Sequence, residues 1–320
     1  MIKRNLIWDF VGRLFNQGIT FVISIVLARL LFPEDFAVIA MVMVFFIIAN
    51  VFIEFGLKEA LVQTDEISNI QFNTVFWINL GVAVIFTSLL YFLSGAISEF
   101  YKLPKLKSII QVLSFVFILN SLGIVHRAIL IRDINFKFLS KINVFSSFVS
   151  GGIAIYLAYE GFGVWSLVVQ YYISALIKQC FLWYGSRWLP KMEFDYSSAK
   201  LLVKFGKNIF FSGLLNNIFT QLDIFIIGKV FAPATLGYYS RAKNLDQLIG
   251  SYSAGSLHAV LFPVLSKIQN DKTQIREIVK KYFHLAAFVS FFFRRVVVSD
   301  SRRTYCASIF RKVVGDYTLF

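Results

Sequence analysis

Apolar runs of about 20 residues recur along the sequence, and they restrict the fold more than any other feature. A helix of that length crosses the hydrocarbon core of a bilayer. Hydrophobic residues make up 58% of the chain and charged residues only 16%. We therefore predict an all-α, polytopic membrane helical bundle. Nine runs can be counted, the last of them short: 7–31, 36–57, 72–97, 109–131, 142–159, 162–184, 208–231, 237–265 and 282–293.

A tight turn joins the first two runs, and the same turn returns 200 residues later. Pro33 suits the first position of a new helix, and after the shift it aligns with Pro233. Chance similarity between apolar helices is the alternative. Because membrane helices use polar residues sparingly, we interpret the polar matches as an internal repeat, which predicts two similar lobes. These matches are Asn16 with Asn216, Gln17 with Asn217, Thr20 with Thr220, and Arg29 with Lys229.

The repeat sets the expected domain bounds. We predict an N-terminal six-helix lobe over 1–185, a cytoplasmic inter-lobe linker over 186–207, and an incomplete C-terminal lobe of about three helices over 208–293. Residues 294–320 are basic and contain no run long enough to cross a bilayer. We interpret them as the product of a frameshift near Phe293, with a native basic cytoplasmic tail as the alternative.

The net charge of +14 would ordinarily point to nucleic acid. Here, however, the cations lie in short segments between the apolar runs. With a cytoplasmic N-terminus, sixteen Lys and Arg residues fall on the cytoplasmic side and three on the other. This asymmetry follows the positive-inside rule. It predicts that orientation, with membrane lipids as partners and no nucleic acid. The basic start lacks a small-residue cleavage site, so we expect a retained first helix.

The sequence contains no motif that would support catalysis. The loops are too short for a soluble catalytic domain, and no Gly-rich phosphate loop, HExxH or nucleophile elbow is present. The three histidines and two cysteines are widely spaced and predict no metal site. We therefore expect a protein that is not an enzyme and that needs no cofactor.

Four ionisable residues within the predicted helices are singled out, because charge there is costly and often functional. Lys178 and Arg127 are candidate substrate-binding cations, although Lys178 could snorkel towards the cytoplasm and Arg127 could be an interfacial anchor. Glu54 and Asp223 are candidate ion-coupling carboxylates. Glu54 could instead reach the interface beside Lys58, and Asp223 needs a partner or water.

The residues paired by the repeat complete the candidate site. Arg29 and Lys229 lie near the outer ends of matching helices, where each could contact headgroups or the two could flank a cavity between the lobes. The amide pairs Asn16-Gln17 and Asn216-Asn217 either form hydrogen bonds between helices or line a hydrated lumen. We predict all six as substrate-binding residues alongside Lys178 and Arg127.

Several short motifs, in this order and spacing, resemble those of one transporter family. They are LARLLFPEDF at 27–36, FGL at 55–57 with ALVQ at 60–63, RDINF at 132–136, GVWSLV at 163–168, GYYSRA at 237–242 and FPVLS at 262–266. Together they are similar to the polysaccharide-transporter (Wzx-type) flippases of the multidrug/oligosaccharidyl-lipid/polysaccharide superfamily, in particular the colanic-acid type. The resemblance covers about residues 1–293.

The resemblance implies a MATE-like fold with two six-helix lobes around a central cavity, located in a bacterial inner membrane. It implies an undecaprenyl-diphosphate-linked oligosaccharide as substrate, moved from the cytoplasmic to the periplasmic face. A polysaccharide polymerase and a chain-length regulator are further partners to be expected. Cations such as Lys178 and Arg29 would offset the cost of bringing the diphosphate into a medium of low dielectric constant.

Two other functions stay open at this point. A multidrug exporter of the same superfamily should favour acidic cavity residues that bind organic cations. A membrane-embedded polysaccharide polymerase or glycosyltransferase should present a sizeable loop with catalytic groups. Few buried carboxylates argue against the first, and short loops against the second.

Overall fold

The computed structural model describes residues 2–64 and 67–250, and every regular element in those ranges is a helix. The predicted all-α membrane bundle is therefore confirmed. The helices are α1 (Ile2–Leu30), α2 (Pro33–Glu54), α3 (Leu57–Gln63), α4 (Asn69–Tyr101), α5 (Lys105–Ser114), α6 (Val116–Ser121), α7 (Ile124–Arg132), α8 (Phe136–Tyr159), α9 (Val164–Ser186), α10 (Tyr196–Val230) and α11 (Pro233–Gly250).

Within the described residues, six helical stretches are long and apolar enough to cross a membrane. The predicted run 162–184 is a continuous helix, α9, but it is too polar to belong to this set. Lys178 and Gln179 contribute to that polarity, and both line a cavity of the bundle. The six stretches are Val11–Leu30, Pro33–Glu54, Asn69–Tyr101, Lys105–Arg132, Phe136–Tyr159 and Tyr196–Val230.

The predicted run 109–131 is not one straight helix. It consists of α5, α6 and α7 in succession, with breaks at Phe115 and at Leu122–Gly123. At the second break the chain packs so closely against α9 that a Cβ added to Gly123 would overlap the amide of Gln179. The absence of a side chain at Gly123 therefore lets the chain approach α9 closely at this level of the bundle.

The two proline turns have the same construction. α1 ends at Leu30 and α2 begins at Pro33, while α10 ends at Val230 and α11 begins at Pro233. In each turn a backbone N–H closes on the carbonyl three residues earlier, at 3.1 Å from Asp35 to Phe32 and at 3.0 Å in the second copy. The structure thus reproduces the predicted repeat at its turns.

The chain divides into two compact units, residues 1–237 and 238–320, and the first of them contains the candidate site. Small residues bring α1 against α8, because a Cβ on Gly12 would overlap Ser140 and one on Gly151 would overlap Ile23. Such close packing is a common basis of helix association in membranes. The predicted lobe bounds stay a prediction, and the run 282–293 and the tail 294–320 lie outside the described residues.

Residues 187–195, the linking segment, connect α9 to α10 without regular secondary structure. Four hydrogen bonds fix this segment to the start of α4, so it is held against the bundle over most of its length. They join Lys191 N to Asn73 Oδ1 (3.0 Å), Asn73 Nδ2 to Glu193 Oε2 (3.0 Å), Trp77 Nε1 to Lys191 O (2.9 Å) and Asp195 N to Thr74 Oγ1 (3.0 Å).

The helix that follows begins earlier than the apolar run 208–231. α10 starts at Tyr196 and contains 35 residues, which corresponds to about 52 Å at 1.5 Å per residue. The hydrocarbon core is only about 30 Å thick. The first turns of α10 therefore extend beyond the core, with Asp195 as their N-cap.

Replacing Asp195 with alanine should destabilise the start of α10. Hydrogen bonds from Ser198 and Ser197 lower the pKa of the Asp195 carboxyl to about 2, from an ordinary value of 3.8. A carboxyl with a lowered folded-state pKa contributes stability above its ordinary pKa and loses it as the pH falls towards the folded value. We expect D195A to have a lower thermal midpoint than the wild type at neutral pH, with the gap closing between pH 3.8 and about 2.

The matched control is D195N, because asparagine is also a good N-cap. It should retain most of the wild-type midpoint at neutral pH. Equal midpoints for D195A and the wild type at neutral pH would contradict the assigned capping role.

Candidate functional site

A cavity of about 550 Å³ lies inside the first unit. Its walls come from the end of α2, from α3, from α6 and α7, from α9, and from the middle of α10. Ile53 and Phe210 are among its apolar lining residues, but polar and charged side chains contribute a large part of the surface. A cavity with this lining, among helices long enough to span a membrane, is suited to hold a polar group.

Four of the predicted site residues meet in this cavity. Lys178 comes from α9, Arg127 from α7, Glu54 from the last turn of α2, and Asn217 from α10. They are separated by up to 163 positions in the sequence. The fold therefore gathers in one place three residues that were predicted from the cost of burying charge in a membrane helix and one, Asn217, that was predicted from the internal repeat.

The carboxylates of the cavity are already paired with a cation. Lys58 Nζ lies 2.9 Å from Glu54 Oε2 and 3.0 Å from Glu59 Oε1. Burial alone would lower the pKa of Lys58, but attraction and hydrogen bonding by Glu54 and then Glu59 raise that pKa above its ordinary value. The interaction between Glu54 and Lys58 that the sequence suggested is thus present. The Lys58 ammonium group thus pairs with the carboxylates of both Glu54 and Glu59.

The other two cations of the cavity have no such partner. Neither Arg127 nor Lys178 forms an ion pair with a carboxylate in the described ranges. The two cations also repel each other. Lys178 is half-buried and Arg127 is exposed to the cavity. Because Lys58 is neutralised locally, these two side chains leave an excess of positive charge, which favours an anionic ligand.

Uncharged amides supply hydrogen-bonding groups beside the two cations. Asn50, Asn120, Gln179 and Asn217 all line the cavity. The Oε1 atom of Gln179 is buried and, within the described chain, has no hydrogen-bond donor. The Nδ2 atoms of Asn50 and Asn217 each donate to a backbone carbonyl of their own helix at 2.9 Å. The amide oxygens are therefore the groups best placed to accept hydrogen bonds from hydroxyl groups.

The remaining predicted residues do not line this cavity. Arg29, Lys229 and Asn216 are exposed, and Asn16, Gln17 and Asp223 are partly exposed. Lys229 Nζ donates to the Phe100 carbonyl at 2.5 Å and lies 3.9 Å from the centre of the Phe100 ring. This contact places Lys229 at the C-terminal end of α4. Site roles for these six residues stay predictions.

Sequence reasoning missed several residues of the cavity. Lys58 was considered only as the neighbour beside which Glu54 could reach the interface, and Glu59, Asn50, Asn120 and Gln179 were not singled out. The spacing of Glu54 and Lys58 was a usable signal, since four residues bring two side chains together on a helix. The actual backbone differs, because Phe55 and Gly56 adopt left-handed conformations that end α2 and start α3.

The RDINF motif at 132–136 has a structural role next to this site. The Arg132 guanidinium donates to the Leu61 carbonyl at 2.7 Å and also to the Thr64 carbonyl. These are orphan carbonyls at the end of a helix, which cations commonly satisfy. Arg132 thereby fixes α3, the helix that carries Lys58 and Glu59, and Asn135 caps the start of α8.

Comparison with known proteins identifies related sequences. A family model described as "Polysaccharide biosynthesis protein" matches residues 26–298. The chain is 27% identical over 273 residues to the "Succinoglycan biosynthesis transport protein ExoT" of Rhizobium meliloti (strain 1021), covering 85% of this chain and 55% of that protein. No solved structure matches the chain.

Two further relatives are similar at the same level. The "Teichuronic acid biosynthesis protein TuaB" of Bacillus subtilis (strain 168) is 28% identical over 251 residues, covering 77% of this chain and 51% of the relative. The "Lipopolysaccharide biosynthesis protein WzxC" of Escherichia coli (strain K12) is 23% identical over 290 residues, with coverage of 89% and 58%. The chain thus spans about half the length of the curated relatives it matches.

Proposed function

The chain belongs to the polysaccharide biosynthesis protein family, and from this we propose that it is a flippase for lipid-linked oligosaccharides. The expected substrate is an oligosaccharide joined to undecaprenyl diphosphate. The observation that carries the proposal is the pair of cations, Arg127 and Lys178, which have no described carboxylate partner in a cavity also lined by amides. The name of the relative ExoT, a succinoglycan transport protein, supports the same class of activity.

The chemistry of the cavity matches the parts of such a substrate. A diphosphate is anionic, and positive side chains lower the cost of bringing it out of bulk water. The oligosaccharide is polar and rich in hydroxyl groups, which the amides of Gln179, Asn120 and Asn50 can bind. The polyprenyl tail is apolar and can stay in the bilayer. We assign the diphosphate to Arg127 and Lys178 and the sugar to the amides.

Transport requires that the occupied cavity be exposed to each side of the membrane in turn. Rocking of two repeat-related lobes is the general solution in transporters. We propose the cytoplasmic-to-periplasmic direction, with an N-terminus in the cytoplasm and a location in the inner membrane, from the distribution of Lys and Arg. Glu54 and Asp223 remain the candidates for ion coupling. A polysaccharide polymerase and a chain-length regulator are proposed partners.

The charge of the cavity also separates this proposal from its rivals. An exporter of organic cations needs a carboxylate that a drug can approach, but Glu54 and Glu59 are both held by Lys58. A polymerase or glycosyltransferase needs catalytic groups. In the part of the chain that the structure describes, the cavity offers ion pairs and amides rather than a nucleophile with its base. We therefore propose transport and not catalysis.

A binding measurement on the purified chain tests the proposal. Native mass spectrometry in detergent would compare undecaprenyl-diphosphate-linked oligosaccharide with ethidium, an organic cation. We expect retention of the glycolipid and little retention of ethidium. The reverse preference would favour a drug exporter, and elongation of the glycan during incubation would favour a polymerase. Either result would overturn the assignment.

A further inference from the structure

A second surface, distinct in character from the cavity, combines cationic and apolar side chains. It is the exposed side of residues 187–207, the basal surface, which includes the linking segment and the first turns of α10. Its apolar members are unusually accessible: Leu189 is 71% exposed, Met192 91% and Phe194 58%. Apolar side chains exposed together in this way mark a surface that binds something.

The basal surface carries a strong excess of positive charge. Glu193 and Asp195 are its two acidic residues, and both are engaged locally, Glu193 by the amide of Asn73 and Asp195 by the start of α10. None of the cations forms an ion pair with a carboxylate in the described part of the chain. The cations, all exposed, are Arg187, Lys191, Lys200, Lys204 and Lys207.

The helical part orders these groups into parallel stripes. Residues at spacings of three and four lie on the same face of a helix, so Lys200, Lys204 and Lys207 form one row. Leu201 and Phe205 form the adjacent row, 59% and 45% exposed. The opposite face, which includes Leu202, is buried against the bundle. An exposed cationic row beside an exposed apolar row is the pattern of a helix at a membrane surface.

We propose that the basal surface is a docking site for anionic lipid headgroups. It lies where α9 ends and where α10, longer than the hydrocarbon core, leaves the membrane, so its apolar side chains can enter the boundary between headgroups and acyl chains. Its cations would then meet lipid phosphates, and such attraction to anionic lipids is a general property of juxtamembrane basic segments. A soluble polyanion without an apolar part would satisfy the charges but would leave Met192 and Phe194 in water.

Lipid binding there would act on the bundle through the hydrogen bonds of the linking segment. That segment is bonded to Asn73, Thr74 and Trp77 of α4. α10 continues from the basal surface into the cavity wall, where it contributes Phe210 and Asn217. A lipid bound at residues 187–207 would therefore fix the base of α10 relative to α4, outside the substrate cavity.

The test measures lipid selectivity of the whole chain. Protein purified from vesicles of equimolar phosphatidylglycerol and phosphatidylcholine would be analysed by native mass spectrometry for retained lipids. We expect clear enrichment of phosphatidylglycerol in the wild type. Each lysine near an anionic surface is worth about fivefold in affinity. K200Q/K204Q/K207Q should therefore lower the enrichment by about tenfold or more.

The matched control is K102Q/K105Q/K107Q, which removes the same charge from exposed lysines at the other end of α4. It should keep the wild-type enrichment. A further variant, M192S/F194S, should retain less of both lipids. The proposal is overturned if the wild type retains both lipids equally, if K200Q/K204Q/K207Q behaves like the wild type, or if the control loses as much. Because ethidium and glycolipid binding are measured separately, failure here leaves the flippase assignment untouched.

Discussion

Substituting both Arg127 and Lys178 with glutamine is expected to reduce the affinity for undecaprenyl-diphosphate-linked oligosaccharide by about 100-fold or more. These two side chains carry the unpaired positive charge of the cavity. A hydrogen bond to a charged group contributes about 1.5–3 kcal/mol, or about 10- to 100-fold per residue. The measurement is a titration of the glycolipid by native mass spectrometry or by fluorescence with a labelled sugar.

The two single variants should each lose part of this affinity, with R127Q and K178Q weaker than the wild type by at least about tenfold. K178R keeps the charge and should bind better than K178Q. The control K107Q/K141Q removes the same total charge from exposed positions outside the cavity and should leave binding unchanged. If the control weakens binding as much as R127Q/K178Q, the effect is one of net charge, and the cavity assignment is wrong.

In R127Q/K178Q the net charge of the cavity depends on Lys58 remaining paired with its two carboxylates. Removing Arg127 and Lys178 leaves Lys58 with Glu54 and Glu59 at 2.9 and 3.0 Å, so the cavity would change from net positive to net negative. An anionic headgroup would then be repelled rather than merely bound less well. An organic cation should be bound better by the double variant than by the wild type, which gives the prediction a second readout.

The sequence predicted these two cations but not the amides and ion pair that surround them in the cavity. A charge inside an apolar run is visible in the sequence because it is costly in a membrane. This reasoning identified Lys178, Arg127, Glu54 and Asp223, whereas Lys229 was selected from the internal repeat, by its match with Arg29. The structure shows Lys229 at the carbonyl end of α4, and a helix C-terminus can stabilise a cation as a bound anion can. Whether a cation contacts a ligand or a helix terminus depends on tertiary contacts, which cannot be read from the sequence.

In the fold, too, features that depend on local sequence were predicted, whereas features that depend on tertiary contacts were not. The proline turn at Pro33 and its copy at Pro233 follow from local chemistry and were predicted with their common spacing. Neither break in 109–131 was predicted, and the one at Leu122–Gly123 coincides with the close approach of Gly123 to Gln179 of another helix, a tertiary contact. The early start of α10 was missed because Lys200, Lys204 and Lys207 interrupt the apolar pattern without interrupting the helix.

Replacing Gly206 with alanine should strongly destabilise the first unit, although it adds only one methyl group. Gly206 of α10 touches the backbone between α2 and α3, and a Cβ on it would overlap the Phe55 carbonyl oxygen. The partner across the contact, Gly56, has φ = 68° and lies close as well: its own added Cβ would be 2.8 Å from the Gly206 carbonyl oxygen. Because both neighbours are backbone, neither can rotate away, and we expect a loss of about 1–3 kcal/mol.

The matched control is G81A in α4, where an added Cβ meets nothing within 4 Å. Alanine in a helix interior is more favourable than glycine by about 0.5–1 kcal/mol, so G81A should raise the thermal midpoint in detergent while G206A lowers it. G206A should also weaken glycolipid binding, because moving α10 away from α3 displaces Asn217 and Phe210 in the cavity wall. Equal midpoints for the two variants would show that α10 does not approach Gly56 closely in the folded protein.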